Sequence, residues 1–344
     1  MINRTKAVFQ YLFWLALAAA LVWLSLRTLQ TDGGENKAEF IWQTWLRSDK
    51  FYLVLMALIG VVSHVLRAWR WKMLVDTTGN PVTVGGSFLA VLIGYLVNLA
   101  IPRGGELSRC YYLYKLDGAP AEVSFGTVVL ERIVDVICLL AVMLIAFWLE
   151  WSHLQSFIES LGLFEQSSSF TIPWWLWLVL AGIVALGFAF YFIRKNARFQ
   201  KLWVGFRSGL LSVFQLKNKA LFVGQSLVIW ALYFAMSYCV ILAFPETAHL
   251  GFRAVISLFA IGAIAMSAPL PGGTGSYHTL VPLGLVMLYN LPKADAIAFV
   301  FIFHAWQTLT IIASGVVALI VSYFILQWRE RHSKSETGRA PASK

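Results

Sequence analysis

Charge is the scarcest commodity in this 344-residue chain: 13% of residues are Asp, Glu, Lys or Arg, about half the share carried by an ordinary soluble domain. That scarcity excludes a large solvated surface, and with no long polar stretch there is no room for a separate catalytic domain. Cysteine is rare too. Cys110, Cys138 and Cys239 are scattered in or beside apolar segments, a spacing that fits neither a disulfide framework nor a zinc site. Six histidines are spread without metal-ligand spacing, and there is no nucleotide-binding loop or nucleophile elbow. No cofactor and no metal are expected.

What is present is hydrophobic sequence: 59% of residues, with a mean hydropathy of +0.71. A span needs roughly 20 apolar residues, and the chain offers several such runs. The expected fold class is therefore an all-α polytopic membrane protein. The net charge of +10 does not point to nucleic acid, because the basic residues fall in short loops between apolar runs, where they set topology and meet anionic lipid. Arg4 and Lys6 precede an apolar run from Ala7 to Leu26 that is longer than a signal-peptide core and lacks a cleavage site, so an uncleaved first helix is expected.

Continuous helices are placed near 8–26, 51–66, 123–149, 173–193, 220–244 and 294–326, with shorter apolar stretches at 86–101 and 253–269. The loop 194–219 carries Arg194, Lys195, Arg198, Lys201, Arg207, Lys217 and Lys219 without an acid; the loop 150–172 carries Glu150, Glu159 and Glu165 without a base. The first should be cytoplasmic and the second external. Arg329, Arg331, Lys334, Arg339 and Lys344 make 327–344 a basic cytoplasmic tail. With Arg67, Arg70 and Lys72 also counted as cytoplasmic, both flanks of 86–101 lie on one side. That stretch must dip in and return, and the same reasoning applies to 253–269 from the other side. The expectation is about six full spans, two re-entrant hairpins and both termini inside, in a multi-pass protein of the cytoplasmic membrane.

The hairpins are alike: an apolar helix, a Pro-Gly turn (Pro102, Gly104, Gly105; Pro271, Gly272, Gly273, Gly275), a short return, then Ala-acid and a long helix. This suggests repeat halves at about 84–149 and 252–326, inverted to one another within a single domain 1–326, an arrangement usual in transporters. Glu131 falls opposite His304 and Asp135 opposite Thr308.

Glu131, Arg132 and Asp135 lie within a helix that should be in the membrane, where each charge costs about 2.5–3.5 kcal/mol and needs a partner or a wet cavity. Glu131 and Asp135 share a face. They fit either an ion pair locking this helix to the hairpin or a substrate or proton site. Arg103, Glu106 and Arg109 flank the first turn, where guanidiniums and exposed backbone N–H groups suit phosphate, although Arg103 and Arg109 could equally snorkel to headgroups. His278 and His304 are candidate proton carriers, or else packing residues. Residues 196–219 read as an amphipathic helix, with Phe199, Leu202, Trp203, Phe206, Leu210, Val213 and Phe214 at helical spacing, lying on the anionic leaflet.

Three elements occur in order: Pro-Arg-Gly-Gly-Glu-x-x-Arg (102–109), Glu-Arg-x-x-Asp (131–135) and Pro-x-Pro-Gly-Gly-x-Gly (269–275). With the span pattern, they resemble the lysylphosphatidylglycerol synthase transmembrane family over roughly residues 50–326. That family includes the flippase half of the multiple peptide resistance factor. There a membrane half moves aminoacylated phospholipid and a soluble half makes it. Here the chain ends after a short basic tail, so on the resemblance the synthase half, and aminoacyl transfer with it, is expected to be absent. The family often has an acidic residue where this chain has His278, which bears on whether lysyl-lipid is the cargo.

The resemblance implies a flippase-like transporter of a lipid-phosphate headgroup, with Arg103, Arg109 and Arg132 on the phosphate and Glu106, Glu131 and Asp135 as counter-charges. Membrane lipids are the expected partners, with a homo-oligomer or a separate lipid-modifying enzyme as further ones. The alternatives are a membrane-embedded enzyme, or enzyme subunit, acting on polyprenyl or glycolipid phosphate, and a non-transporting scaffold for a separate synthase.

Overall fold

Segments this apolar must satisfy their backbone hydrogen bonds internally, and the computed structural model is helical throughout the residues it describes: 36–149, 196–268 and 270–337, with the isolated positions 20, 23 and 151. The expected helices at 8–26 and 173–193, the acidic loop 150–172 and Pro269 lie outside the described residues. The described helices are α1 (Lys37–Arg47), α2 (Lys50–Asp76), α3 (Val84–Ala100), α4 (Gly104–Asp117), α5 (Ala121–Leu149), α6 (Ala197–Leu210), α7 (Lys219–Ala243), α8 (Gly251–Ser267), α9 (Ser276–Tyr289) and α10 (Lys293–Thr337).

Four stretches, Lys50–Asp76, Lys219–Ala243, Ala248–Ser267 and Lys293–His332, are long and apolar enough to cross a membrane; Val84–Ala100 is shorter. The multi-pass reading therefore stands at this coarser level. The stretch read from sequence as too short at 253–269 gains a preceding 3₁₀ turn (Ala248–Leu250) that brings it to spanning length. Large apolar side chains such as Ile137, Leu140 and Leu144 on α5 and Leu309, Val317 and Phe324 on α10 remain exposed, as expected of surfaces that meet lipid rather than water. α10 does not stop at 326. It runs unbroken into the basic tail, and Arg329 there donates to the carbonyl of Leu116 in the last turn of α4, an orphan acceptor at a helix C-terminus.

α3 and α4 form an antiparallel hairpin clasped at its base. Asp117, ending α4, accepts from the backbone N–H of Thr83 at 2.9 Å and from its hydroxyl at 3.0 Å, while that hydroxyl caps α3 by accepting from Gly86 N–H. The chain thus enters and leaves the hairpin side by side. Near the tip the legs touch backbone to backbone, since a Cβ on Gly105 would lie 2.1 Å from the carbonyl oxygen of Gly94.

Helix lengths recur in order. α3 and α8 have 17 residues each, and α4 and α9 have 14 each. Each pair is preceded by a long helix (α2, α7) and followed by another (α5, α10). Both linkers into the last helix open on a left-handed residue, Gly118 (φ 80°) or Asn290 (φ 53°), and close on Pro120 or Pro292.

Two helices differ from the sequence expectation. α1 was not anticipated; it is capped by Asn36, packs Trp45 against Trp306 of α10 at 5.8 Å and pairs Arg47 with Glu246 at 3.3 Å. α6, the expected surface helix, does expose Leu202, Trp203 and Val204. Its Gly205-x-x-x-Gly209 stripe, however, packs tightly against the start of α5, a small-xxx-small contact of the kind that joins membrane helices.

Candidate functional site: a buried arginine–carboxylate cluster

Five helices converge on Glu131 and Asp135. α5 places these carboxylates one turn apart on one face, and α2 presents Arg67 and Arg70 with matching spacing. Glu131, fully buried, accepts from Arg109 of α4 at 2.7 Å and from Arg70 at 3.3 Å. Asp135 accepts from Arg67 at 2.8 Å and from the same Arg70 nitrogen at 3.0 Å. Arg70 also donates to Ser226 of α7 at 3.0 Å, and Arg67 to the hydroxyls of Tyr95 (α3) and Tyr233 (α7) at 3.0 and 3.1 Å. The Arg109 guanidinium lies 3.9 Å from the ring centre of Trp71, whose indole N–H donates to Thr127.

An outer pair closes the cluster. Arg132 meets Glu106 at 3.2 Å and Asp135 at 3.7 Å; its side chain is 43% exposed and that of Glu106 22%. Four guanidiniums thus face three carboxylates, leaving one positive charge in surplus. Charges this deep are tolerated only when paired and hydrogen-bonded, yet the Nε atoms of Arg67, Arg109 and Arg132 and Oε2 of Glu106 are buried without a partner. A cleft lined by Arg67, Tyr95, Asn98, Glu106, Arg109 and Arg132 has room for about one water molecule.

Tyr233 is shared between this cluster and a second, larger space. A cavity of about 180 Å³ lies among α2, α7, α8, α9 and α10, lined by Met56, Met236, Met266, Phe299 and Phe303 with Tyr233, Ser237, Tyr277 and Gln307 as its polar groups. The hairpin tips meet beside it. Arg103 donates to the carbonyl of Ser267 at the end of α8 at 3.3 Å, and a Cβ on Gly272 would come within 2.9 Å of Leu99. In the second tip, His304 bonds the Gly272 carbonyl at 3.1 Å and packs edge-to-face against His278 at 4.7 Å.

The family model for the Lysylphosphatidylglycerol synthase TM region matches residues 11–315, nearly the whole chain. The chain belongs to this family. Among curated proteins it is similar to the UPF0104 membrane protein MJ1595 of Methanocaldococcus jannaschii, 33% identical over 93 residues, which is 26% of this chain and 28% of that protein's length. No solved structure matches.

In this member of the Lysylphosphatidylglycerol synthase TM region family, the structure unites Glu106, Arg109, Glu131, Arg132 and Asp135 in one cluster. Arg103 is elsewhere, on the hairpin tip, in a left-handed conformation (φ 60°). The glycine turn does not offer free backbone donors as expected: Gly104 N–H donates to Ile101 O at 2.9 Å and Gly105 N–H to Asn98 Oδ1 at 2.8 Å. Arg67 and Arg70 are not loop charges. They are 4% and 0% exposed, because α2 continues ten residues beyond the apolar run that marked its end. Sequence reasoning missed them, although their i,i+3 spacing against the i,i+4 carboxylates of α5 was a usable signal. Pro102 and Pro271 sit in the two turns, with Gly272, Gly273 and Gly275 at positive φ in the second.

Proposed function

We propose that this chain is a flippase-like transporter of the cytoplasmic membrane that carries a phosphate-bearing lipid headgroup between leaflets. The observation that carries the reading is the buried cluster with one guanidinium more than its carboxylates can neutralise. An anion is its natural complement, and Arg67, Arg109 and Arg132 each have a buried N–H left over to receive one. Glu106 Oε2, equally unpartnered, gives the same cleft an acceptor for a donor or ammonium on the headgroup. In the present conformation the cleft is too small for a phosphate. Admission requires the outer Arg132–Glu106 pair to separate while the inner Arg67, Arg70 and Arg109 contacts hold the helices together.

The clasped base of the first hairpin supports a re-entrant α3–α4, and the recurring helix lengths support two repeats, inverted across the membrane, with both termini cytoplasmic. The touching tips at Arg103–Ser267 and Leu99–Gly272 are the gate in this reading. Acyl chains stay in lipid or use the apolar cavity beside Tyr233, and no covalent chemistry is assigned to the chain.

A second reading, a non-transporting partner for a separate lipid synthase, draws on the synthase in the family's description and on every carboxylate already being paired, as a static lock would be. Exchange of headgroup-labelled lipids in proteoliposomes separates the two. The comparison is wild type against Arg109→Ala and Glu131→Gln, with thermal unfolding of each variant. Exchange above protein-free vesicles, lost in variants that remain folded, supports transport; absence of exchange across anionic, zwitterionic and polyprenyl-phosphate lipids overturns it.

A further inference from the structure

We infer that the cleft beside the arginine–carboxylate cluster is a chloride site, in which Arg67, Arg109 and Asn98 hold one small anion while the hairpin is closed. The site is the one on which the transport reading rests, but chloride binding needs neither a lipid nor transport.

Charge sets the requirement. Arg67, Arg70, Arg109 and Arg132 face Glu106, Glu131 and Asp135, so the cluster is one negative charge short of neutral. The cleft is lined by α2, α3, α4 and α5, and the other acids of these helices are engaged elsewhere. Asp76 is on Lys72, Asp117 is on Thr83, and Glu122 lies beside Gly205 of α6. His64, stacked 4.6 Å from Tyr95, would only add to the surplus if it were charged.

The polar atoms on the wall are mostly donors. Arg67 and Arg109 are each 4% exposed, and the Nε of each is buried without a partner. Asn98 adds a third donor. Its Oδ1 accepts from Gly105 N–H at 2.8 Å; a backbone N–H can bond only the oxygen of the amide, so the remaining end is the Nδ2 donor. Arg132 Nε is a fourth, at the rim. Against these, the one unpartnered side-chain acceptor on the wall is Glu106 Oε2, and its carboxylate is already held by Arg132 through Oε1 at 3.2 Å. The anion therefore belongs against the inner arginines.

Space selects the ligand. The cleft admits a body about the size of one water. A water has two hydrogens to donate and finds one free side-chain acceptor, and it brings no charge. Phosphate and sulfate are too large. Chloride is close to water in size, only accepts, and supplies the missing charge. For transport, a singly charged phosphodiester headgroup then enters as chloride leaves, so the buried guanidiniums are never left uncompensated.

The test uses the full-length protein in phosphatidylcholine nanodiscs, with sodium chloride exchanged for sodium gluconate at constant ionic strength. Equilibrium dialysis against radioactive chloride should give saturable binding near one ion per chain. Above the dissociation constant, each tenfold rise in chloride should raise the folding constant about tenfold, seen as a rising unfolding temperature. Arg132→Gln and Asn98→Asp each bring the charge count to zero by a different route. Asn98→Asp also keeps an oxygen for Gly105 N–H and places a tethered carboxylate where chloride would sit. Both should lose bound chloride, and Asn98→Asp should unfold in gluconate no earlier than wild type does in chloride. If Asn98→Asp does not fold, Arg132→Gln at the exposed rim carries the test. Arg331→Gln, exposed on the tail, should bind as wild type does. Binding no greater than that of protein-free nanodiscs, with equal stability in chloride and gluconate, overturns the site. So does binding that persists undiminished in the folded variants. Lipid exchange measured in gluconate is independent of both outcomes, so the transport reading stands or falls separately.

Discussion

Glu131 of α5 and Arg109 of α4 meet at 2.7 Å with almost no solvent contact, and this one bond fixes the returning leg of the first hairpin to the long helix that follows it. The other oxygen of the Glu131 carboxylate is held by Arg70 of α2, so a single buried side chain joins three helices.

Neutralising Glu131 should therefore cost more than losing one contact. Glu131→Gln leaves Arg70 and Arg109 facing an amide, and removal of one partner from a buried ion pair typically costs about 3–5 kcal/mol. Arg109→Gln alone should be similarly damaging, while the double substitution removes both uncompensated charges. A double-mutant cycle on thermal unfolding in detergent should show the pair losing clearly less than the two single losses together. Simple additivity would mean that the bond contributes little.

Arg67 differs from Arg132 in what a lysine can replace. Arg67 engages Asp135, Tyr95 and Tyr233 at once from a planar fork, and an ammonium cannot reach all three in that geometry. Arg67→Lys should lose about 2 kcal/mol, the equivalent of the two phenol bonds. Arg132→Lys, at the exposed rim, should lose no more than about 1 kcal/mol. Equal effects on the unfolding temperature would contradict the division of the cluster into inner and outer pairs.

Much of this arrangement was legible in the sequence, and the rest was hidden for identifiable reasons. Apolar runs located the long helices, and the i,i+4 spacing of Glu131 and Asp135 in an apolar segment marked the cluster, because charges are tolerated there only with partners. The partners were obscured because hydropathy ended α2 near residue 66 and left Arg67 and Arg70 looking like loop charges, although the helix runs to Asp76. α1 is short and nearly balanced between polar and apolar residues, so its helicity rests on Asn36 and on packing against α10 rather than on a hydrophobic run. The docking of α6 was masked by its own amphipathic pattern. Of the apolar residues that stood out, Leu202, Trp203 and Phe214 face outward while Phe206 meets Phe125, and the residues at the closest approach, Gly205 and Gly209, have no side chain to register.

That glycine contact makes a sharp prediction. A Cβ on Gly209 would lie 2.1 Å from the Val123 carbonyl oxygen, and one on Gly126 would lie 2.1 Å from that of Phe206; backbone blocks the space on both sides. Gly209→Ala should cost about 1–3 kcal/mol, as overpacking does, and should expose Phe125 and Phe206, which stack at 6.0 Å across this interface. Gly224→Ala in α7 meets nothing within 4 Å and should be neutral or stabilising by about 0.5–1 kcal/mol, from helix propensity alone. Unfolding temperatures of the two variants side by side check the sign of each.

Arg103 offers a way to open the tips without breaking the turn. It occupies a left-handed conformation that a bulky residue rarely adopts, and its guanidinium reaches the carbonyl of Ser267 where α8 ends. Arg103→Gly accommodates the backbone at lower cost and removes the donor, whereas Arg103→Lys keeps a cation at the helix C-terminus. In a background free of Cys110, Cys138 and Cys239, Leu99→Cys lies against Gly272 and reports the contact by its rate of maleimide labelling. Arg103→Gly should raise that rate several-fold, on the order of the loss of one charge-assisted hydrogen bond, and Arg103→Lys should raise it less. If both variants label as slowly as the parent, apolar packing of Leu99 on Gly272 holds the tips together, and the arginine serves only to cap α8.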